Sequence, residues 1–331
     1  MKTVVTGAAG FIGANLVRAL LKEGREVKAI DSFSRGSSRN LEGLNVRVFN
    51  ADLRDYGQAL ASVREADTVF HLAAKVGSID YLHGSNSAEL DALQTNLLID
   101  GNVFRACLES GVRRVVYASS VSVYPIDKQD RLGARFREGD TRPINPEGGY
   151  GWAKLVGELQ LGLMEGVKSG VARIFNAYGE FSEFGDTAQV VPALVRKAIR
   201  YPDEDFVVWG DGRQTRNLLY VGDCVDALLE IEKRARNPPL VLNVGNPDTV
   251  TVKGIAKTVV GVSGKKIPLK FDLSKPVGPL SRIPDVALAQ KELGWMPRTR
   301  LEEGIMRTYE WMRDEILAKA KMSSHREAQR N

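Results

Sequence analysis

A glycine cluster that directly follows a short apolar segment is the feature that most constrains the fold. Residues 2–6 (KTVVT) are apolar and β-branched, which predicts a buried strand, and a helix is predicted over 11–22. Between them stand Gly7, Gly10 and Gly13, spaced as G-x-x-G-x-x-G. Glycines allow a tight turn and a close approach of the backbone, and the free N–H groups of a helix N-terminus bind pyrophosphate. The cluster therefore predicts a dinucleotide site, although a sharp turn without a ligand uses the same residues.

An acidic residue at the end of the second predicted strand indicates which dinucleotide is bound. The segment 26–30 (EVKAI) leads into Asp31, eighteen positions after Gly13. A carboxylate near this distance accepts a hydrogen bond from the ribose 2′-hydroxyl of NAD. Arg35 is suited to bind the 2′-phosphate of NADP, but the carboxylate of Asp31 would repel that phosphate. NAD is therefore predicted.

Strand and helix patterns alternate through the first half of the chain. Further strands are predicted over 45–50, 68–72 and 112–118. The small residues Ala73 and Ala74 follow one of them and leave room for a cofactor to cross the strand ends. Alternation of this kind is typical of an α/β protein with a parallel sheet.

The alternation weakens after about residue 179, and this change sets the predicted domains. We predict an α/β fold, a Rossmann-type doubly wound parallel sheet with a smaller, mixed α/β C-terminal substrate lobe. The NAD-binding domain is expected over 1–179 with a returning strand near 240–246, the substrate lobe over 180–318, and a polar, flexible tail over 319–331.

A tyrosine and a lysine four residues apart form the second informative cluster. Tyr150 and Lys154 share one face of a predicted helix, so the lysine can lie close to whatever the tyrosine contacts. A tyrosine has a pKa of about 10, and lowering it to about 7 requires about 4 kcal/mol of phenolate stabilisation. A neighbouring ammonium and the positive nicotinamide of NAD⁺ are sources of that stabilisation. The pair alone also fits an ordinary amphipathic helix.

Serines follow the predicted strand over 112–118. Ser120 and Ser122 stand where open α/β sheets place their ligands, and a hydroxyl there can bond a reacting sugar oxygen. Serine is also common after strands as a turn or cap residue. The catalytic interpretation of Ser120 depends on the strand, the tyrosine and the glycine cluster all meeting at one crevice.

Together these segments resemble the extended short-chain dehydrogenase/reductase family, specifically its nucleotide-sugar epimerase/dehydratase group. The resemblance spans about residues 1–316. It rests on the motifs TGAAGFIG (6–13), HLAA (71–74), SSVSVY (119–124), YGWAK (150–154), RIFNAYG (173–179), GDGRQTRNLLYVGD (210–223) and LGW (293–295).

The resemblance implies a set of NAD ligands along the first half of the chain. The implied cofactor-binding residues are Gly7, Gly10, Phe11, Ile12, Gly13, Asp31, Ser34, Arg35, Gly36, Asp52, Leu53, Leu72, Ala73, Ala74, Asn96, Tyr150 and Lys154.

The resemblance also assigns roles in catalysis. It implies that Tyr150 is the base, that Lys154 positions the ribose and acidifies the tyrosine, and that Ser120 polarises the sugar oxygen. The implied substrate-binding residues are Ser122, Asn176, Gln189, Arg216 and Arg282. Guanidinium groups match phosphate oxygens well, which suits the two arginines to a diphosphate.

The residues after Ser120 narrow the reaction. Dehydratases of the family carry an Asp-Glu pair where this chain has Val121 and Ser122, so 4,6-dehydration lacks its acid and base. GDP-mannose 3,5-epimerases carry a Cys at the position of Ser122. They also carry a Lys just before a proline, and that proline matches Pro192 of this chain. Here Val190 and Val191 precede Pro192, so the Lys is absent. A serine hydroxyl is a much weaker acid or base than a thiol near neutral pH.

Inversion at carbon 4 needs only Ser120, Tyr150 and NAD, as in UDP-glucose 4-epimerases. We therefore expect an NAD-dependent nucleotide-sugar epimerase that inverts C4 of a UDP-hexose or UDP-hexuronate through a 4-keto intermediate. A GDP-mannose 3,5-epimerase-like enzyme, another GDP-sugar epimerase or reductase, and an NAD-binding sensor without turnover stay open as alternatives.

The composition limits which binding partners and which cellular compartment are expected. Most of the net charge of +5 comes from residues 319–331, which contain four basic side chains and one acidic side chain. Because the rest of the chain is close to neutral, no nucleic-acid partner is expected. The two cysteines and three histidines show no metal-ligand spacing, so no metal is expected. No apolar stretch is long enough to span a membrane. We expect a cytoplasmic protein, and the resemblance implies a homodimer.

Overall fold

The structure, a computed structural model, describes residues 2–77, 81–82, 84–129, 133–185, 188–275 and 282–328, with side chains through 318. Its centre is a seven-stranded, fully parallel sheet with the spatial order β12-β7-β5-β4-β1-β2-β3. The strands of this sheet are β1 (Lys2–Thr6), β2 (Glu26–Asp31), β3 (Arg47–Asn50), β4 (Thr68–His71), β5 (Arg114–Ser120), β7 (Lys168–Ile174) and β12 (Leu240–Val244).

Among the described residues, eight short strands lie outside this sheet, paired two by two. They are β6 (Arg135–Phe136), β8 (Ala177–Tyr178), β9 (Val207–Trp209), β10 (Thr215–Arg216), β11 (Leu219–Tyr220), β13 (Val250–Thr251), β14 (Lys270–Asp272) and β15 (Ile283–Pro284).

Helices cover both faces of the sheet and form the C-terminal lobe. They are α1 (Phe11–Lys22), α2 (Tyr56–Val63), α3 (Asn86–Glu109), α4 (Ile126–Gln129), α5 (Gly148–Leu163), α6 (Val190–Arg200), α7 (Val221–Arg234), α8 (Val252–Ser263), α9 (Ala287–Leu293) and α10 (Leu301–Ala328).

Two apolar layers hold the helices against the sheet. On one face, α1 and α7 meet the strands through buried side chains such as Leu16 and Leu228. On the other face, α2, α3 and α5 pack through residues such as Val63, Phe104 and Leu161. The central strands β1 and β4 are almost entirely buried and lack the polar alternation of a half-exposed sheet, as expected for a parallel sheet between two helix layers, whereas the edge strand β3 is exposed. The predicted Rossmann-type fold class is confirmed.

A third apolar cluster forms the smaller lobe. Helices α6, α8 and α10 surround buried residues such as Val195, Ile255 and Met312. The strand β12 leaves this part of the chain and pairs in parallel with β7 in the central sheet. The backbone of α10 is helical as far as Ala328, and the flexibility expected of 319–331 stays a prediction.

The sheet brings the sequence motifs to one edge. Because all seven strands are parallel, the carboxyl ends of β1, β4 and β5 lie side by side. These ends carry Thr6, His71 and Ser120. Strand β5 runs two residues beyond the predicted 112–118, so Ser119 and Ser120 are its last two residues rather than the start of a loop. The crevice above this edge is where the site is built.

No described helix is long and apolar enough to cross a membrane. Cys107 in α3 and Cys224 in α7 are free and buried. Burial raises the pKa of both thiols to about 12.

Candidate active site

The glycine turn has no room for side chains. Gly7 has a φ of +68°, and a Cβ there would lie 2.8 Å from the backbone nitrogen of Ala73. A Cβ on Gly13 would lie 2.0 Å from the carbonyl oxygen of Gly7. Each of these distances is shorter than a nonbonded contact allows, so the turn can keep its shape only with glycine. The turn therefore places the start of α1 directly against the ends of β1 and β4.

The N-terminus of α1 is open to a ligand. No side chain caps Gly10, and the first helical hydrogen bond runs from Ala14 N to Gly10 O at 2.9 Å. The N–H groups of Phe11, Ile12 and Gly13 precede this bond and have no partner within the helix. Such donors, together with the positive end of the helix dipole, suit the pyrophosphate of a dinucleotide.

Asp31 is held ready beside this turn. It is 8% exposed, and its two carboxylate oxygens accept hydrogen bonds from Ala9 N at 2.9 Å and Phe33 N at 2.8 Å. A Cβ on Gly36 would lie 2.9 Å from Asp31 Oδ1, so a glycine keeps the carboxylate accessible. Each oxygen retains further lone pairs. The carboxylate is thus fixed in position and able to accept from both hydroxyls of a ribose.

Arg35 is engaged with the smaller lobe. Its Nη2 lies 3.0 Å from Glu183 Oε2, and its guanidinium lies 4.5 Å from the centre of the Tyr81 ring. This ion pair, together with the charge of Asp31, opposes a 2′-phosphate and favours NAD over NADP. Ser34 is exposed and accepts a hydrogen bond from Ser32 Oγ at 3.0 Å.

Other residues predicted to bind the cofactor surround the same crevice. Leu72 and Ala73 donate their backbone N–H groups to the Thr6 hydroxyl, each at 3.2 Å, and Ala74 follows them in the same loop. Asp52 pairs with Arg54 at 2.6 Å, and this hydrogen bond lowers the pKa of the Asp52 carboxyl.

Leu53 and Asn96 help to shape the backbone around the crevice. Leu53 is buried, and its carbonyl accepts a hydrogen bond from Asn102. The side-chain oxygen of Asn96 accepts from Lys75 N at 2.7 Å, and its side-chain nitrogen donates to Lys75 O at 3.0 Å. Asn96 therefore fixes the loop that follows β4.

Tyr150, Lys154 and Ser120 meet at the sheet edge. Tyr150 is 8% exposed and Lys154 is 1% exposed on α5, with the Lys154 ammonium 5.9 Å from the centre of the tyrosine ring. Burial raises the pKa of Tyr150, and a hydrogen bond with Ser120 acts in the opposite direction. Burial lowers the pKa of Lys154, while the negative charges of Asp100 and Glu158 act to raise it. The buried Tyr150 and Lys154 and the partly buried Ser120 thus form a polar group at this edge of the sheet, with the side-chain types that proton transfer requires.

A buried polar network beneath this group was not predicted from the sequence. Asp100 accepts a hydrogen bond from Tyr117 Oη at 2.5 Å, and its other oxygen lies 3.0 Å from His71 Nε2. The Lys154 ammonium lies 4.5 Å from the centre of the Tyr117 ring. The available signal was a charged residue four positions after Asn96, on the inward face of α3.

The predicted substrate-binding residues form a second polar group in the same region. Ser122 Oγ donates to Glu147 Oε2 at 2.9 Å, and Arg282 forms an ion pair with Glu147 Oε1. Burial and then the positive charge of Arg282 lower the pKa of Arg216, so the two guanidinium groups repel each other electrostatically. Arg282 Nε is buried and has no hydrogen-bond partner among the described residues. Two guanidinium groups and an unpaired donor suit a diphosphate.

The structure places Asn176 between β7 and β8, and Gln189 directly before α6. Asn176 has a φ of +38°, a region that asparagine visits more readily than other non-glycine residues. Its carbonyl accepts a hydrogen bond from Leu219 N at 3.2 Å. Gln189 is exposed and directly precedes α6. Within the described part of the chain, no three histidine, cysteine, aspartate or glutamate side chains converge as a metal site would require.

Comparison with known proteins agrees with this geometry. A family model for the NAD dependent epimerase/dehydratase family matches residues 3–245. The GDP-mannose 3,5-epimerase of Arabidopsis thaliana is 30% identical over 321 residues, covering 96% of this chain and 83% of the relative. The UDP-N-acetyl-alpha-D-glucosaminuronate decarboxylase of Bacillus cytotoxicus is 29% identical over 328 residues, covering 95% of this chain and 98% of the relative.

A solved structure shows the same fold at similar identity. UDP-glucose 4-epimerase from Thermotoga maritima, crystallised with UDP-glucose, superimposes with a TM-score of 0.83 at 27% identity, covering 96% of this chain and 100% of that one. The predicted cofactor is confirmed as NAD by the family match. The chain therefore belongs to the NAD dependent epimerase/dehydratase family of nucleotide-sugar enzymes.

Proposed function

We propose that the protein inverts C4 of a UDP-hexose or UDP-hexuronate through a 4-keto intermediate. The observation that carries this proposal is the group formed by Ser120 and the buried Tyr150 and Lys154 at the sheet edge, beside the glycine turn. Val121 and Ser122 stand where the dehydratases of the family are expected to carry an acid and a base. Inversion at C4 needs neither of them.

Each of the three residues has a separate task. The Tyr150 phenolate takes the proton of the sugar hydroxyl, and its hydrogen bond with Ser120 favours the charged form of the tyrosine. The Lys154 ammonium adds positive charge at the same place. Bound NAD supplies hydride transfer from carbon and back to it. Return of the proton from Tyr150, after the keto sugar has turned in the pocket, completes the inversion.

The pair of arginines supports a nucleotide diphosphate as the part of the substrate that the protein binds. Arg216 and Arg282 repel each other electrostatically, and a diphosphate would neutralise both charges. The Thermotoga maritima structure contains UDP-glucose, which supports a UDP-sugar. A GDP-sugar epimerase is the second candidate, favoured by the Arabidopsis thaliana relative and by the carboxylate that Glu147 brings to Ser122.

We infer that the enzyme is a homodimer formed through α3 and α5, which pack side by side. These two helices expose a patch of large apolar side chains, which we call the α3–α5 face. Its members are Leu90, Leu98, Trp152, Leu159 and Leu163. Exposed apolar patches on a soluble fold mark sites of association.

The test is product analysis with a tyrosine variant. The purified protein is incubated with UDP-glucose, UDP-glucuronate and GDP-mannose, and products are identified by NMR. Tyr150→Phe is expected to abolish turnover while NAD stays bound, because only the hydroxyl is lost. Tyr56→Phe is the matched control, since the Tyr56 hydroxyl bonds Glu109 on the surface. Turnover that persists in Tyr150→Phe would show that the proposed base is wrong.

A further inference from the structure

A second group able to carry a proton lies next to the proposed base. Glu147 is the last residue before α5, and its carboxylate accepts a hydrogen bond from Ser122 Oγ at 2.9 Å. The backbone strengthens this contact, because Glu147 N donates to Ser122 O at 2.8 Å. The Glu147 side chain is only 13% exposed. Glu147 is thus held by two hydrogen bonds to Ser122, one through its carboxylate and one through its backbone N–H.

This carboxylate belongs to the same wall of the crevice as the base. Ser122 N donates to Ser120 Oγ at 3.2 Å, and Ser120 bonds Tyr150. A Cβ on Gly151 would lie 2.3 Å from Ser122 O, so the first turn of α5 rests directly on the serine segment. The negative charge of Glu147 also acts on Tyr150. Glu147, Ser122, Ser120 and Tyr150 therefore form one continuous polar line.

The surroundings of Glu147 suit it to act as a base. Arg282 forms an ion pair with one of its carboxylate oxygens. The two oxygens of a carboxylate offer about four lone-pair sites, and the contacts from Ser122 and Arg282 use one on each oxygen. A carboxylate with lone pairs remaining can still accept a proton from a bound molecule.

We propose that Glu147 is a second proton-transfer group, which removes a carbon-bound proton from the carbon next to the ketone that forms at C4. This inference rests on the proposed function, because only the ketone makes that proton acidic. The C–H bond breaks, its electron pair enters the carbonyl group to give an enolate, and the proton moves to a Glu147 oxygen. Tyr150, which then carries the proton of the former sugar hydroxyl, donates a hydrogen bond to the enolate oxygen.

The reverse step returns a proton from Glu147 to the same carbon. No oxidant, reductant or further reactant is consumed. Because Glu147 is partly exposed, its proton exchanges with water between the two steps. In deuterated water the sugar therefore gains deuterium at carbon 3 or carbon 5. Inversion at C4 by hydride transfer alone returns the original hydrogen and introduces no deuterium.

The experiment measures the incorporation of deuterium into the sugar. The full-length enzyme with bound NAD is incubated with UDP-glucose or GDP-mannose in deuterated water, and NMR reports both C4 inversion and deuterium at each carbon. Glu147→Gln is expected to lower the ratio of deuterium incorporation to inversion at least ~100-fold, the range typical for loss of an acid or base group. The surface variant Glu65→Gln is the matched control and keeps the ratio, because Glu65 lies far from this wall and pairs with Lys2.

A second variant keeps the test decisive if Glu147→Gln does not fold, which thermal melting and NAD content would reveal. Ser122→Ala removes the hydrogen bond but keeps the carboxylate, so the ratio is expected to fall by a smaller factor, about 10-fold. An unchanged ratio in Ser122→Ala, or deuterium that persists in folded Glu147→Gln, would overturn the role of Glu147.

The outcomes separate the two proposals. Inversion at C4 without any deuterium on the sugar would refute the inference and leave the proposed function intact. Absence of turnover with every nucleotide sugar would refute the proposed function, and the inference with it. Deuterium at carbon 3 or carbon 5 that disappears in Glu147→Gln would support both.

Discussion

Removal of the Ser120 hydroxyl provides a direct test of how the tyrosine is made basic. Ser120 ends β5 and forms a hydrogen bond with Tyr150, whose phenol lies in a largely buried pocket. Burial raises the pKa of Tyr150, and the Ser120 bond opposes that rise. Ser120→Ala leaves the burial and deletes the opposing bond, so the pKa of Tyr150 should increase.

The size of the effect follows from the charge on the phenolate. A hydrogen bond to a charged group contributes about 1.5–3 kcal/mol, which corresponds to a pKa higher by about one to two units. With Tyr150 as the proposed base, activity would require its deprotonated form, so a higher pKa of Tyr150 would move the acid limb of the rate profile to higher pH. Below that limb the rate should fall by about 10–100-fold relative to the parent enzyme. At pH values above the acid limb, the remaining difference in rate between Ser120→Ala and the parent enzyme should reflect only the lost polarisation of the sugar carbonyl.

The assay is the rate of inversion measured across the neutral and alkaline range. Ser119→Ala is the matched control, because the Ser119 hydroxyl donates to Glu158 at 2.5 Å rather than to the tyrosine. Its acid limb should stay in place. An unmoved limb in Ser120→Ala, or an equal shift in Ser119→Ala, would refute the argument that Ser120 tunes Tyr150.

Two further predictions concern stability and assembly. Arg173→Ala should lower the free energy of unfolding in urea by about 3–5 kcal/mol, because it leaves Glu158 charged and buried without its bidentate partner. Arg137→Ala, whose ion pair is exposed, should change it little, and similar losses in both would contradict this reasoning. On the α3–α5 face, Leu163→Glu should shift light-scattering mass from dimer to monomer. The equally exposed Leu273→Glu should not, and a dimer that survives Leu163→Glu would exclude this interface.

Local patterns predicted the first strand, the glycine turn and the first helix. The strand, the glycine turn and the helix that follows it are contiguous, so their geometry depends on residues within a few positions of Gly7. The position of Asp31 could also be predicted from the sequence, because β1 and β2 pair in parallel and this pairing fixes where the end of β2 lies relative to β1. The predicted and observed helix bounds for α1 are the same, Phe11–Lys22.

The polar groups beneath and beside the base could not be predicted in this way. Glu147 bonds a residue 25 positions away and another 135 positions away. Asp100 contacts His71 from 29 positions away. Each of these side chains is an unremarkable acid in its own segment, and its partner is set by how the strands and helices are ordered in space. Only the folded chain brings the charges together.

Arg282 shows how such a long-range contact can change the chemistry of a site. Sequence resemblance assigns it to the diphosphate alone, yet in the fold it also pairs with Glu147 and keeps a buried Nε without a partner among the described residues. An unsatisfied buried donor costs about 1–3 kcal/mol, and the nearby charge of Arg216 adds repulsion. A diphosphate would relieve both. Substrate binding would then draw Arg282 toward phosphate and weaken its ion pair with Glu147.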